Sequence, residues 1–451
     1  MFSKILIANR GEIAVRIIRA CREMGISTVA IYSEADKNSM HVRLADESYC
    51  VGPSKVSESY LNIPAILTIA ITSGAQAIHP GYGLLSENAK FVSLCEQCNI
   101  EFIGPTSKMI SLLGDKDMAR KTMRSAGVPV TPGTDVLESL EEAREKALEI
   151  GFPLLIKARS GGGGRGIRRV DSIDEFDNAY NQAHAEAESA FGDGALYIEK
   201  FLFPVKHVEM QIMCDKHGNV VCLGERECSV QRKNQKLIEE SPCSAIDDDI
   251  RQAMSEAAAK AAKAVDYNSV GTIEFLLDKD KNFYFMEMNT RLQVEHGVTE
   301  MVTGLDIVQW QIRVAAGAKL TRTQESIFMH GHAIECRINA EDPDRNFMPS
   351  CGTIKNLHVP GGSFVRFDTA IYQDYDVPPF YDSMIGKIIV QGRTRELAIR
   401  KMKMALSELS ITGIKHNRDL MLEILSDDEF IDGSYTTDFM VRFEEKRKQN
   451  D

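Results

Sequence analysis

From Ile5 onward the chain alternates short apolar runs with amphipathic stretches: residues 5–8, then Ile13, Ile17, Ile18 and Cys21 at helical spacing, then residues 28–32. Strand, crossover helix and strand make a βαβ unit, and that unit builds a parallel sheet. Further strand candidates at residues 77–78 and 102–103, each preceded by a helical stretch, continue the sheet to about Pro105. The expected first unit is an open parallel α/β sheet. Its first turn, Asn9-Arg10-Gly11-Glu12, lacks the G-x-G-x-x-G that lets backbone approach a pyrophosphate, so no dinucleotide site is expected there.

At 451 residues there is chain for about three domains. Lys and Arg number 53 against 65 Asp and Glu, a net charge of −12 that repels a phosphate backbone and argues against nucleic-acid binding. An anionic ligand therefore needs a local concentration of cations and backbone N–H groups. Ten cysteines, mostly isolated, give no disulfide framework. Cys95 and Cys98 have zinc-knuckle spacing but lack a second ligand pair, and a helix with one buried thiol explains them equally well. The N-terminal apolar run is too short for a signal peptide and no run reaches membrane-spanning length. A soluble, cytoplasmic protein is expected.

Beyond Asp115 the character changes. One β-rich block holds strands at residues 152–158 and 167–170 around a Gly-rich loop, followed by a capping box, Ser172 to Glu175, that opens a helix toward Phe191. A second block is a hairpin centred on residues 278–282. From about Gly331 strands are expected at 333–338, 352–358 and 385–390, then an amphipathic helix through Leu397, Lys401, Met404 and Leu409.

The loop Lys157-Ala158-Arg159-Ser160-Gly161-Gly162-Gly163-Gly164-Arg165-Gly166 joins two strands. Four consecutive glycines cost backbone entropy, a cost that makes sense where bare N–H groups close over phosphates. No Gly-Lys-Ser/Thr follows, so it reads as a flap rather than a Walker loop; a solvent-exposed turn is the plainer alternative.

In the hairpin, pairing Asp278 with Phe283 sets Glu274 directly opposite Glu287. Two ionised carboxylates about 5 Å apart repel by about 3 kcal/mol at an effective dielectric near 20, so the pair invites a hard cation, Mg²⁺ or Mn²⁺. The alternative is two exposed glutamates on an ordinary hairpin. Glu287, Asn289, Arg291, Gln293 and Glu295 then occupy alternate positions, one polar face if the segment stays extended. Carboxylates, an amide and a bidentate anion binder are an inventory for phosphate and carbonate chemistry.

Candidate cations are Lys116, Lys157, Lys200, Arg232, Lys233, Lys236 and Arg337. His207, Glu209 and Gln211 share one strand face, for which ligand and structural roles are equally open. Met402-Lys403-Met404 looks like a biotin attachment core, but Ile399, Met402, Leu406 and Leu409 give helical spacing where a biotinyl lysine needs a hairpin tip, so Lys403 reads as a solvated helix position.

These motifs together resemble the biotin carboxylase family of ATP-grasp ligases: Asn9 to Ala14, His79-Pro80-Gly81-Tyr82-Gly83, the loop from Gly161 to Gly166, Glu287 to His296, Glu335 to Pro343 and Tyr381 to Lys387. The resemblance runs over essentially the whole chain and is similar to the free-standing subunit of acetyl-CoA carboxylase. It implies an N-terminal α/β domain (1–113), an ATP-grasp domain (114–330, flap about 130–203) and a β-rich α+β C-terminal domain (331–445). It also implies ATP- and bicarbonate-dependent carboxylation of biotin on a carrier protein through carboxyphosphate, the first half-reaction of acetyl-CoA carboxylase in fatty acid synthesis, with carboxyltransferase subunits as further partners. Alternatives are the biotin carboxylase subunit of another biotin-dependent carboxylase, or another ATP-grasp acylphosphate ligase.

On this resemblance, Lys116, Lys157, Glu199, Lys200 and Leu202 hold ATP with His207 and Gln231 nearby, under the flap of Gly161, Gly162, Gly163, Gly164 and Gly166. Glu274 and Glu287 hold the metal with Asn289. Lys236, Arg291, Gln293, Val294 through its backbone, and Glu295 hold bicarbonate; Glu295 is the general base and Arg337 stabilises deprotonated biotin. A homodimer is implied, with Arg16, Arg19, Glu23 and Arg366 at the interface. The chain departs from the family pattern at Arg159, Ser160, Glu227, Asn234, Gly297 and in one extra residue between Glu274 and Glu287. Asn234 bears most directly on ATP affinity.

Overall fold

The computed structural model describes residues 1–160 and 166–450. Five parallel strands, β1 (Lys4–Ile7), β2 (Ser27–Ser33), β3 (Glu47–Gly52), β4 (Ala77–His79) and β5 (Glu101–Phe102), form one sheet in the order β3-β2-β1-β4-β5. β1 lies centrally, so Ile5, Leu6 and Ile7 are fully buried, each worth about 1.5–3 kcal/mol of transfer free energy. Helix α1 (Gly11–Glu23) buries Ile13, Ile17, Ile18 and Cys21 as the spacing predicts. β3, in which Ser48, Tyr49 and Cys50 are exposed and only Val51 is buried, escapes the sequence pattern.

A second, three-stranded sheet contains β6 (Leu154–Ala158), β7 (Ile167–Val170) and β8 (Leu196–Lys200) in the order β7-β6-β8. The Gly161 to Gly164 flap lies outside the described residues. The helix Ile173–Phe191 follows β7, but Ser172 makes no side-chain cap. The expected capping box is absent, and Asp174 and Glu175 supply first-turn negative charge instead.

The largest sheet has eight strands. β9 (Val205–Cys214), β10 (Val220–Arg232), β11 (Gln235–Ser241), β12 (Val270–Asp278), β13 (Phe283–Asn289) and β14 (His332–Asn339) are joined by the strands Met384–Gly392 and Val365–Thr369, the order running β13-β12-β9-β10-β11-β14 and on through Met384–Gly392 to Val365–Thr369. The C-terminal strands thus extend the central sheet rather than forming a separate layer. Met213, Val221, Leu223 and Val270 of this sheet share a core with Ile17 and Ile18 of α1, so the first sheet and the largest are one packed body.

Three expectations need correction. The β12–β13 hairpin pairs Leu277, not Asp278, with Phe283. Asp278 is the last residue of β12, paired with Val205 of β9, and its carboxylate accepts the Asp280 and Asn282 N–H groups of the turn at 2.9 Å. A bulge at Met286 then restores the pairing of Glu274 with Glu287. The stretch 352–358 is two short strands, Gly352–Thr353 and Asn356–His358, in different two-stranded sheets. In the helix Arg395–Glu408, Leu397 and Met404 face outward, while Ala398, Ile399, Met402, Ala405 and Leu406 are buried. Lys403 lies on this helix, not at a hairpin tip.

Candidate active site

The site lies on the face of the large sheet that carries Glu209 of β9, Lys236 and Glu239 of β11, Glu274 of β12 and Arg337 of β14, a register shift in the β10–β11 pairing bringing Lys236 and Glu239 to one side. At its centre is Lys236 of β11. Its Nζ donates to Glu209 Oε2 and Glu295 Oε1 at 2.6 Å each and to Glu274 Oε1 at 3.2 Å. Three buried carboxylates around one ammonium are tolerable only with further cations. Arg226, fully buried, donates to Glu209 Oε1 (2.6 Å), to Gln211 Oε1 (2.7 Å) and to the Thr299 and Thr272 hydroxyls. Arg337 donates to Glu295 Oε2 (2.8 Å) and Glu239 Oε1 (2.7 Å).

The charges divide these acids. Burial pushes the Glu295 carboxyl up, but Lys236, Arg337 and Arg226 overcome it and hold the group well below the usual carboxylate range. Glu274 is likewise held low, burial being outweighed by Lys236 and His207. For Glu209 burial prevails over Lys236 and Arg226 and its pKa is raised. Burial opposes the Lys236 charge, yet the surrounding acids keep its pKa well above that of a free lysine.

After Asn289 the chain leaves the strand, so residues 290–295 are not the extended face expected; Glu295 instead stands at the N-cap position of the helix His296–Thr303. Side-chain bonds gather the polar groups all the same. Arg291 donates to Gln293 Oε1 (2.8 Å), Asn289 Oδ1 (3.2 Å) and Glu87 Oε2 (2.9 Å), and Asn289 Nδ2 donates to Glu274 Oε1 (2.7 Å). The Val294 carbonyl accepts from the buried Lys387.

For a divalent cation the donors are the Glu274 and Glu287 carboxylates and the Asn289 amide. Glu274 Oε2 has a contact to His207 Nε2 at 2.9 Å, and Glu287 faces Lys116 Nζ at 3.5 Å while remaining half exposed. A carboxylate has about four lone-pair positions, so both retain capacity. An all-oxygen set with net negative charge fits Mg²⁺ or Mn²⁺. Among the described residues, a second cluster of ligand type, His207, Glu209 and Glu274, has its donor atoms within 4.8 Å of one another; Lys236 already supplies positive charge there.

Of the expected nucleotide residues, Lys116, His207 and Gln231 lie beside this cluster, whereas Lys157, Glu199 and Lys200 stand on the three-stranded sheet. Lys157 donates to Glu199, which also faces Arg120 Nε at 3.4 Å. Lys200 Nζ donates to the carbonyls of Gly151 (3.1 Å) and Phe152 (3.0 Å). Leu202 is half exposed just beyond β8, Gly166 has φ 74 at the start of β7, and Gln231 pairs with Lys236 across β10 and β11. Asn234 sits exposed in the two-residue β10–β11 turn with Lys233, φ values of 63 and 50; two positive φ values define the type I′ turn that Asn favours. The other departures are local too. Arg159 and Ser160 both bond Asp193, and buried Glu227 accepts from Lys206 Nζ (2.6 Å) and Cys243 Sγ (3.1 Å).

Glu87, Arg120, Arg226, Glu239 and Lys387 were not singled out from the sequence. Glu239 and Glu240, adjacent acids directly after Leu237 and Ile238, were a usable signal; Arg226 and Glu87 carry none.

Residues 1–110 match the biotin carboxylase N-terminal domain, residues 115–323 the carbamoyl-phosphate synthase L chain ATP-binding domain, and residues 335–442 the biotin carboxylase C-terminal domain. The chain is 54% identical over 440 residues to the biotin carboxylase of Nostoc sp., covering 97% of this chain and 98% of that one. It is 53% identical over 446 residues to biotin carboxylase 1 of Bacillus subtilis, covering 98% and 99%. The structure also superimposes on the Campylobacter jejuni biotin carboxylase–β-γ-ATP complex (TM-score 0.93, 50% identity, 98% and 99% covered). Similar agreement holds with the biotin carboxylase domain dimer of Hydrogenobacter thermophilus 2-oxoglutarate carboxylase, bound to MgADP, ADP and bicarbonate (TM-score 0.92, 49% identity, 98% of each covered). With matching domains in the same order along the chain and the Lys236, Glu295 and Arg337 cluster at the centre of the large sheet, this protein belongs to the biotin carboxylase family.

Proposed function

We propose that the protein carboxylates biotin on a carrier protein, using ATP and bicarbonate, as the first half-reaction of acetyl-CoA carboxylase. The observation that carries this reading is Glu295, a buried carboxylate held between Lys236 and Arg337. A bicarbonate entering beside Lys236, Arg291 and Gln293 competes for the cations that hold Glu295 low. As they turn to the substrate, Glu295 becomes basic enough to take the bicarbonate proton. The freed oxygen attacks the γ-phosphorus and ADP leaves, giving carboxyphosphate. This breaks down to CO₂ and phosphate; phosphate removes the biotin N–H proton, and Arg337 stabilises the resulting enolate as it attacks CO₂.

Lys116, Lys157 and Lys200 supply the local positive charge the phosphates need against a global −12. Glu274, Glu287 and Asn289 would hold Mg²⁺ or Mn²⁺, which neutralises phosphate charge when bound. Closure of the Gly161 to Gly164 flap would keep water from carboxyphosphate. The partners on this reading are a biotin carrier, carboxyltransferase subunits and a second copy of the chain, in the cytoplasm; among the described residues no helix is long and apolar enough to cross a membrane. The dimer face would include Arg19 of α1, exposed beside a recess of about 380 Å³ lined by Arg16, Glu23, Glu300 and Arg366.

The test is phosphate release from MgATP with and without bicarbonate and free biotin. Wild type should show bicarbonate-dependent release raised by biotin, and Glu295→Ala should lose it by about 10²-fold or more. Release indifferent to bicarbonate would sink the reading. The match of residues 115–323 to a carbamoyl-phosphate synthase domain supports a second reading, an acylphosphate ligase with an amine acceptor; stimulation by ammonia and not by biotin would favour it.

A further inference from the structure

Lys387 is a fully buried lysine in the strand Met384–Gly392, paired across the sheet with Arg337. Partners in register project to the same face, so Lys387 stands beside the Arg337 that grips Glu295. Its ammonium donates to the Val294 carbonyl and lies 3.8 Å from both Glu12 Oε1 and Glu335 Oε2. Glu335 is itself fully buried, and neither of its oxygens has a hydrogen-bond partner. Burying an ammonium is costly, and a more economical core would place an apolar residue here.

The hydrogen bond explains what the charge does. Val294 and Glu295 share one peptide plane, so holding the Val294 oxygen sets the orientation of the Glu295 N–H and Cα. That plane precedes the helix His296–Thr303 and has no helical hydrogen bond of its own to hold it. Three parts of the chain meet at this ammonium: Glu12 from α1, Val294 from the site loop and Lys387 from the C-terminal strands. We propose that Lys387 is a positioning residue for the carboxylation reaction, locking the Val294–Glu295 peptide so that the Glu295 carboxylate lies between Lys236 and Arg337.

This inference rests on the biotin carboxylase reading, and the experiment separates the two. Bicarbonate-dependent phosphate release and MgADP binding are measured for wild type, Lys387→Met and the charge-balanced Lys387→Met/Glu12→Gln, with an unfolding midpoint for each. Wild type without bicarbonate-dependent release would remove the reading itself. With wild type active, both variants should lose kcat by about 10²-fold, the scale of a misplaced catalytic group. The MgADP dissociation constant should stay within threefold, and the double variant should recover the wild-type midpoint without recovering the rate. The proposal is overturned if either variant keeps kcat within threefold of wild type, if rate returns along with the midpoint, or if both variants lose MgADP binding and so reveal a role in stability alone.

Discussion

At the scale of the residue, Lys236 decides both chemistry and stability. It stands 3.2 Å from Glu274 and shares Glu209 with Arg226 and Glu295 with Arg337. Removing one partner of a buried ion cluster leaves uncompensated charge, and Lys236→Gln should destabilise the fold by about 3–5 kcal/mol at pH 7. The sign of the pH dependence follows from Glu295. Its pKa is depressed in the folded protein, so in wild type it adds stability above the ordinary glutamate pKa and loses it as pH falls through the lower folded value. Without Lys236, the largest of the charges that hold it low, burial raises the pKa of this carboxylate, which Arg337 still holds in part, and the raised pKa of buried Glu209 climbs further. The difference between variant and wild type, measured by urea unfolding, should therefore narrow as pH falls from 7 toward 4; a constant gap would show that the lost contacts are not electrostatic. The partnership of Lys236 with Glu295 is long-range, 59 positions apart, and no periodicity in a single sequence reports it. What was legible was the local part: polar residues two apart from Glu287 to Glu295, and the resemblance that gave each a role.

At the scale of the element, the hairpin shows how an inference can reach a true contact through a false register. Counting back from a four-residue loop set Glu274 opposite Glu287, yet the strands pair one residue out of that count near the tip, and the bulge at Met286 returns them to it. Bulges carry no pattern of their own. The long strands β9 to β11 were equally hard to read: they are buried almost throughout, and the polar residues His207, Glu209, Gln211, Arg226 and Glu239 interrupt the apolar run that marks a buried strand. Helix α1, with Ile13, Ile17, Ile18 and Cys21 on its buried face, was legible from spacing alone. Gly331 is where central and C-terminal strands join. It has φ 68, and a Cβ there would stand 2.3 Å from the Gly392 carbonyl oxygen, a backbone atom that cannot swing aside. Gly331→Ala should cost about 1–3 kcal/mol, read as a lower urea midpoint. An unchanged midpoint would mean that β14 tolerates displacement from the strand Met384–Gly392.

At the scale of the whole molecule, the chain is two bodies of unequal size. The large sheet and the N-terminal sheet share a core. The three-stranded β6–β8 unit keeps a small core of its own, with Leu154, Ile156, Val170, Phe176 and Ile198 buried. The segment 130–134 joins it to the larger body: Val130 bridges to Phe285 of β13 and Gly133 to Glu199 of β8, while Arg120 donates to the carbonyls of Thr131 (2.7 Å) and Thr134 (2.6 Å) and lies 3.4 Å from Glu199. A unit with its own core and polar docking contacts can turn as a piece, because little apolar area is exposed when it moves. Nucleotide would bridge the two bodies, touching Lys157 and Lys200 on the small one and Lys116 and Glu287 on the large one. MgADP should therefore slow amide hydrogen exchange in β6 and β8 well beyond any change in β9 and β12. Mass action alone would protect every amide that exchanges through global unfolding to the same extent. Uniform protection along the chain would show that nucleotide stabilises a single rigid body, and closure of the small unit would have to be abandoned.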